Sequence, residues 1–461
     1  MSELFGTAGI RGDVRSTVTP TLATAVGRAA AEDGTEFVVG RDGRVTGPGL
    51  AAAVAAGLES GGADVVRLGR VPTPALAYAS VGRHGIMVTA SHNPPGDNGL
   101  KLFADGTEYD TAAEEMIERR IDDGLDPVAF GEWGKEEQSD VRAAYRRAVV
   151  TYVREQVGDC AGVAVALDTG NGVGGLIAPT VLGDLGADVT TLNGTVDGHF
   201  PGRESKPTPE SLTDLRAFVA GTADEPGGDY DLGIALDGDA DRVVVVDGDG
   251  DVVHEDTVLA IVAEYLVRDS TAEDPVVITT PNASARVDER VRAAGGRTER
   301  VGLGTIHEGL DTDGDVVFAA EPWKHMYPAF GTWIDGIVAA AVVTALVERD
   351  GLDSLREPVR ERPYRKVNVD CQDEHKSAAM DRLSGTLPEQ FPEATLDTDH
   401  GIRLTFEDAS WILIRPSGTE PYLRIYAESD AVDSLTRTAV DAADAAVEWA
   451  TDGSAGTEES R

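Results

Sequence analysis

The chain has 461 residues, 41% of them hydrophobic, with 81 Asp and Glu against 40 Lys and Arg, a formal net charge of −41. That length is material for about three domains of ~100–200 residues, and the apolar share excludes wholesale disorder. A surface this acidic repels nucleic acid and anionic lipid, and no apolar run approaches the ~20 residues that span a bilayer, so a small-molecule partner is expected, with no nucleic acid and no membrane.

In chain order, Glu36–Val39 reads as a strand, Ala51–Leu58 as a helix, and the glycine-led run 61–69 as a second strand. The same grammar returns in Val163–Leu167, Val181–Gly186 and 187–194, and again in Pro275–Thr280, Val287–Ala294 and 295–302. In each copy a glycine ends the helix and a Val-rich strand follows. Strand–helix–strand alternation implies right-handed βαβ units on a largely parallel sheet. An acidic, helix-prone stretch from Thr111 to Val157 links the first copy to the second. Asp247–Asp251 is a turn between Val-rich runs, expected to close a hairpin. From Lys366 the pattern changes: Ile402–Phe406, Trp411–Ile414 and Leu423–Ala427 read as antiparallel strands and Val432–Ala450 as a closing amphipathic helix.

The expected architecture is therefore α/β: three topologically related domains with mixed, largely parallel sheets (1–150, 151–252, 253–365) plus a smaller C-terminal α+β domain (366–450) and a flexible tail (451–461). Cys160 and Cys371 lie far apart and outside any CxxC spacing, which suits a reducing cytoplasm. The N-terminus has no basic stretch followed by an apolar segment, so a cytoplasmic location is expected. Scarce lysine and abundant Asp match proteins that work at molar salt, where the Debye length shrinks to ~3 Å. A halophilic cytoplasm is the expected habitat. No heptad pattern appears, which leaves monomer and homodimer both open.

Several loops carry chemistry. Thr89 to Lys101 places Ser91 where a strand runs out into a turn-rich loop, flanked by His92 and Lys101, which move protons or balance phosphate charge. Asp237, Asp239 and Asp241 alternate after the apolar strand Leu232–Leu236 and offer hard oxygen ligands suited to Mg²⁺, with Arg242 beside them to answer an anion. Glu321-Pro-Trp-Lys-His325 follows a strand with a carboxylate, an aromatic and two cations, a set that fits a sugar. Arg415-Pro-Ser-Gly-Thr-Glu-Pro421 offers Arg415, Ser417, Gly418 and Thr419 as a phosphate nest. Gly170–Gly175 satisfies GxGxxG after a strand, yet Asn193 stands where a dinucleotide fold wants an acidic residue. An NAD-dependent oxidoreductase is thus one rival reading, and a catalytically silent sugar-phosphate-binding protein another.

Together these loops resemble the α-D-phosphohexomutase superfamily, which includes phosphomannomutase, phosphoglucomutase and phosphoglucosamine mutase. Leu4–Gly12 is similar to its N-terminal motif, Thr89–Pro94 to its phosphoserine loop, and Asp237–Arg242 to its metal loop. Glu321–His325 is similar to the sugar loop and Arg415–Pro421 to the phosphate loop. The resemblance implies four domains around a central cleft and a mutase that interconverts hexose 1- and 6-phosphates. Ser91 would be the phosphorylated donor, and one Mg²⁺ would be held by Ser91, Asp237, Asp239 and Asp241. Arg11, His92, Lys101 and Arg242 would surround the transferring group. Glu321, Trp323, Lys324 and His325 would meet the sugar, and Arg415, Ser417, Gly418 and Thr419 the other phosphate. A hexose 1,6-bisphosphate would serve as intermediate and activator. The sugar loop departs from the usual Glu-x-Ser-Gly-His by Trp323 and Lys324, so mannose, glucose and glucosamine phosphates all stay open, as does the choice of Lys101 or His92 as general base.

Overall fold

The structure is a computed structural model that describes residues 4–6, 9–221, 230–417 and 420–458. Three units repeat one sheet order. In the first, Glu36–Arg41 lies between Asp64–Arg70 and His84–Val88, both parallel to it, and Asp97–Ala104 adds antiparallel to His84–Val88. In the second, Ala164–Asp168 takes the central place between Asp188–Leu192 and Leu232–Leu236, with Val243–Asp247 antiparallel outside. In the third, Pro275–Thr279 lies between Arg297–Arg300 and Asp315–Glu321, with Lys324–Met326 antiparallel outside. The first sheet is extended by Ile10–Asp13 at one edge and Glu136–Gln138 at the other.

The repeated helices are Gly47–Ser60, Ala178–Asp184 and Ala285–Ala294. Just past each lies a glycine at φ 96°, namely Gly62, Gly186 and Gly295. That is left-handed backbone, which a side chain resists and glycine adopts freely. In the first copy the residue is Gly62 rather than Gly61, whose φ is −87°.

The fourth unit is a five-stranded antiparallel sheet, in the order Tyr364–Asp370, Tyr422–Glu428, Trp411–Pro416, Ile402–Thr405, Thr395–Asp397. Helices Asp373–Gln390 and Val432–Glu458 cover it. The closing helix runs past residue 450, so the expected tail is helical as far as Glu458. The helix Arg142–Gln156 likewise crosses the expected limit at 150 and packs on helices of the second and third units.

One apolar core runs through the first three units, from Val38 and Phe103 through Leu167 and Ile234 to Phe318 and Ala345. At its centre is the helix Gly336–Asp350, buried from Gly336 to Val347, as a helix apolar on every side must be. The fourth unit has a separate core and joins the third through a buried Arg286–Glu428 ion pair at 2.9 Å.

A single topological position carries the chemistry. In each of the first three units the loop of interest joins the third parallel strand to its antiparallel neighbour: 89–96, 237–242 and 322–323. In the fourth, 417–421 joins Trp411–Pro416 to Tyr422–Glu428. The metal-loop candidate is thus itself a hairpin connection. The Asp247–Asp251 turn, expected to close a hairpin, closes only an isolated bridge between Val246 and Val252.

Candidate active site

The serine loop and the aspartate loop meet. Ser91 Oγ donates to Asp237 Oδ2 at 2.7 Å across 146 residues of sequence, and both residues are fully buried. Thr73 Oγ1 donates to Asp239 Oδ2 at 2.6 Å, and Lys101 Nζ to Asp241 Oδ2 at 2.9 Å. The third unit closes on the same loop. The Gly336 N–H donates to the Ala240 carbonyl at 3.2 Å and the Val243 N–H to the Trp323 carbonyl at 3.0 Å.

Three of these loops hold a non-glycine residue at positive φ: Ser91 at 48°, Ala240 at 62° and Trp323 at 69°. Such backbone persists only where surrounding contacts over-determine it. For Ser91 those contacts are visible. Its N–H donates to Thr89 Oγ1 at 2.9 Å, and its carbonyl accepts from Arg44 Nη2 at 2.9 Å. Arg44 is fully buried and also donates to the carbonyls of Asn93, Pro94 and Asp97, while its Nε pairs with Asp42 at 3.0 Å. One guanidinium therefore gathers the whole serine loop.

The aspartate loop is tightened by Asp237 Oδ1, which accepts from the N–H groups of Asp241 (3.1 Å) and Arg242 (3.2 Å). Ligand oxygens of Asp237, Asp239 and Asp241 lie within 4.8 Å of one another. Oδ1 of Asp239 and of Asp241 are buried without a hydrogen-bond partner. Burial, then Asp241 and Asp239, push the Asp237 carboxyl well above the usual carboxylate range. Burial also opposes charge on Asp241, but Lys101, Arg242 and Lys324 outweigh it and hold that group low. Crowded, dehydrated, oxygen-only and incompletely satisfied, this donor set fits a hard divalent cation such as Mg²⁺.

Around it stand the expected cations. Arg242 Nε lies 3.9 Å from both Asp237 and Asp241. Arg11 sits on the strand paired with Asp97–Ala104, opposite Gly99, and its Nε is buried without a partner. His92 Nδ1 is 3.3 Å from Ser91 Oγ. Burial first, then Arg242 and Arg11, depress its ring to a pKa of about 2, so the imidazole is neutral. Lys101 is also paired with Glu108 at 3.3 Å. Burial disfavours its charge, but Asp241 and Glu108 hold the proton on and raise the ammonium above its ordinary value.

The sugar loop is only partly as expected. Glu321 faces inward, accepting from the Gly304 N–H at 2.5 Å and pairing with Lys324 at 3.3 Å. Lys324 is among the cations that lower Asp241 and Glu108. Trp323 is half-buried, with its ring packed in part on the second unit's apolar cluster of Ala235 and Val244. His325 turns inward. It is 1% exposed, edge-on to Phe318 at 5.2 Å, with burial lowering its ring to a pKa of about 3. Strand alternation explains the difference: Lys324 pairs with Glu321 at the open end, and the next residue turns into the core.

In the fourth unit Arg415 Nη2 donates to Tyr426 Oη at 3.2 Å, and Ser417 is 6% exposed with its Oγ accepting the Glu420 N–H. Gly418 and Thr419 lie outside the described residues. Lys376, which the sequence reading missed, shapes this loop by donating to the carbonyls of Ser417 (2.6 Å) and Glu420 (2.7 Å). Arg424, also missed, lies opposite Arg415 in the sheet register.

The Gly170–Gly175 loop serves packing. A Cβ at Gly170 would lie 2.7 Å from the Arg203 guanidinium, which pairs with buried Asp168 at 2.8 Å, and one at Gly172 would lie 2.7 Å from the Gly238 carbonyl.

Comparison with known proteins agrees with this geometry. Models of the phosphoglucomutase/phosphomannomutase family match throughout: alpha/beta/alpha domain I at residues 2–126, domain II at 143–250, domain III at 254–365 and the C-terminal domain at 367–445. A phosphopentomutase of Thermococcus kodakarensis is 40% identical over 92% of this chain and 94% of its own. A probable phosphoglucosamine mutase of Methanopyrus kandleri is 38% identical over 94% and 95%. A solved phosphoglucomutase/phosphomannomutase family protein of Burkholderia thailandensis superposes with a TM-score of 0.84 at 28% identity, covering 98% of each chain. With four domains in that order and the serine set on the aspartate trio, the chain belongs to the phosphoglucomutase/phosphomannomutase family and is a sugar-phosphate mutase.

Proposed function

We propose that the protein interconverts hexose 1-phosphate and hexose 6-phosphate through phosphorylated Ser91 and a hexose 1,6-bisphosphate, with Mg²⁺ held by Asp237, Asp239 and Asp241. The observation that carries the reading is the 2.7 Å contact between Ser91 Oγ and Asp237. It sets an esterifiable hydroxyl against the oxygens suited to a cation. When bound, Mg²⁺ would neutralise oxygen charge on the phosphorylated serine. Phosphoryl transfer otherwise asks the protein for in-line positioning and charge compensation. Arg11 and Arg242 serve the second need. Lys101, clasped between Asp241 and Glu108, is a fixed cation, and the neutral ring of His92, 3.3 Å from Oγ, orients the serine. Glu321 and Lys324 orient the sugar, and Arg415 with Ser417 holds the phosphate that is not reacting. Since each phosphate must visit both places, the bisphosphate turns over within the cleft.

Pentose phosphates are the second reading. It rests on the replacement of Ser-Gly by Trp323-Lys324 in the sugar loop and on the 40% identical relative named phosphopentomutase. Assays of purified protein with glucose, mannose, glucosamine and ribose 1-phosphates, each with Mg²⁺ and the matching bisphosphate, separate the two. Turnover of a hexose phosphate that Ser91→Ala abolishes supports the proposal. Turnover of ribose 1-phosphate alone replaces it with the pentose reading. The charge of −41 supports a cytoplasm rich in salt, in which self-repulsion is screened; equal stability in dilute buffer and molar KCl would argue against it.

A further inference from the structure

Lysine is rare in this chain: the six are Lys101, Lys135, Lys206, Lys324, Lys366 and Lys376. Lys101, Lys324 and Lys376 each have a carboxylate partner. Lys135, Lys206 and Lys366 have none among the described residues, although acidic residues outnumber basic ones two to one.

Lys206 is placed with care. Arg203 Nη2 donates to the Leu236 carbonyl at 2.6 Å, immediately before Asp237, and Ser205 Oγ donates to the Asn93 carbonyl at 3.2 Å, two residues past Ser91. Both residues are buried. The segment is thereby stitched to the aspartate loop and the serine loop at once. The Lys206 carbonyl is fixed by Ser211 Oγ at 2.9 Å, and the side chain that follows is exposed. On the fourth unit, Lys366 pairs with Tyr426 in register and lies 5.7 Å over its ring, while Arg424 pairs with Arg415. After burial, the groups that depress the Lys206 ammonium are Arg242, Lys366 and Arg424, one from the aspartate loop and two from the fourth unit. Arg242 faces Asp237 and Asp241 at 3.9 Å and Arg424 faces Glu420 at 3.7 Å, but Lys206 and Lys366 add two cations with no carboxylate of their own, and cations gathered in this way are satisfied by an anion placed among them.

We propose that Lys206 is a bridging phosphate ligand between the transfer site at Arg242 and the cationic face of the fourth unit, and that it selects the doubly phosphorylated sugar. It holds the bisphosphate in the cleft while its two phosphates exchange places. The inference rests on the mutase reading. The test is calorimetric binding of glucose 1,6-bisphosphate and of glucose 1-phosphate to Ser91→Ala protein, with and without Lys206→Gln. Loss of one charge-assisted contact should weaken the bisphosphate on the order of tenfold and the monophosphate less than about twofold, with Lys206→Arg close to the parent. Equal weakening of both ligands, or of neither, overturns the proposal. A Ser91→Ala parent that binds neither probe instead removes the hexose mutase reading, so the two failures are distinct.

Discussion

Replacing Arg44 with Met keeps a stem of similar length and removes the guanidinium. In the parent that group donates to four carbonyls of the serine loop at 2.6–2.9 Å and pairs with Asp42 at 3.0 Å, with both side chains fully buried. Breaking a buried pair from one side costs ~3–5 kcal/mol, because the remaining charge is left without compensation. Asp42 has an escape. Burial already raises its carboxyl to about 6 despite Arg44, so near neutral pH it takes up a proton at small cost and limits the loss. The expected destabilisation is therefore near the lower end, about 3 kcal/mol. Urea unfolding of parent and variant at one pH and salt concentration measures it. Adding Asp42→Asn removes the stranded carboxylate, so the double variant should recover at least ~1 kcal/mol relative to the sum of the single changes. An Arg44→Met protein within ~0.5 kcal/mol of the parent, or a double variant showing the plain sum, would refute the reasoning.

The Gly238→Ala change puts a Cβ 2.8 Å from the Ser91 carbonyl oxygen and 3.4 Å from the Phe200 ring; backbone must shift, costing ~1–3 kcal/mol, and kcat should fall more than thermal stability alone explains. For Asp335, which caps the helix Gly336–Asp350 and meets Tyr145 and Trp333, burial raises the pKa from 3.8 to about 6. The folded state then binds this proton more tightly than the unfolded chain, so the group's stabilising contribution is full below pH 4 and is lost as pH rises through 6. Relative to the parent, Asp335→Asn should gain up to about 3 kcal/mol between pH 4 and pH 7, and a flat or falling difference in unfolding free energy would contradict this. Magnesium at about a hundred times its dissociation constant should stabilise the protein by ~2.7 kcal/mol, and Asp239→Asn should abolish most of that thermal shift.

Much of this molecule was legible in the sequence. The helix-ending glycines, the Val-rich strands and their recurrence announce three like units, because left-handed backbone and buried parallel strands leave composition little choice. The serine and aspartate loops were legible for a related reason: Ser91 and the three aspartates are residue types whose chemistry dominates their surroundings. Side-chain direction was less visible. His325 and Trp323 read as sugar contacts, and what the sequence did not show is that strand alternation buries the first and that the second, at positive φ, packs in part on the neighbouring unit. Arg44 and Lys376 went unnoticed because their partners are backbone carbonyls, which leave no trace in residue identity. Lysine scarcity was read only as a mark of habitat. Three of the six lysines hold or face these loops through carboxylates or carbonyls, and a fourth, Lys206, follows a segment tied to two of them.

The central claim is that the Ser91 hydroxyl carries the phosphoryl group. Incubating the protein with Mg²⁺ and glucose 1,6-bisphosphate labelled in its phosphates, then digesting and mapping the label by mass spectrometry, tests it directly. One phosphate per chain on the peptide containing Ser91, discharged on addition of unlabelled sugar monophosphate, is the predicted result. A label on any other residue, or turnover with Ser91 never modified, would contradict it.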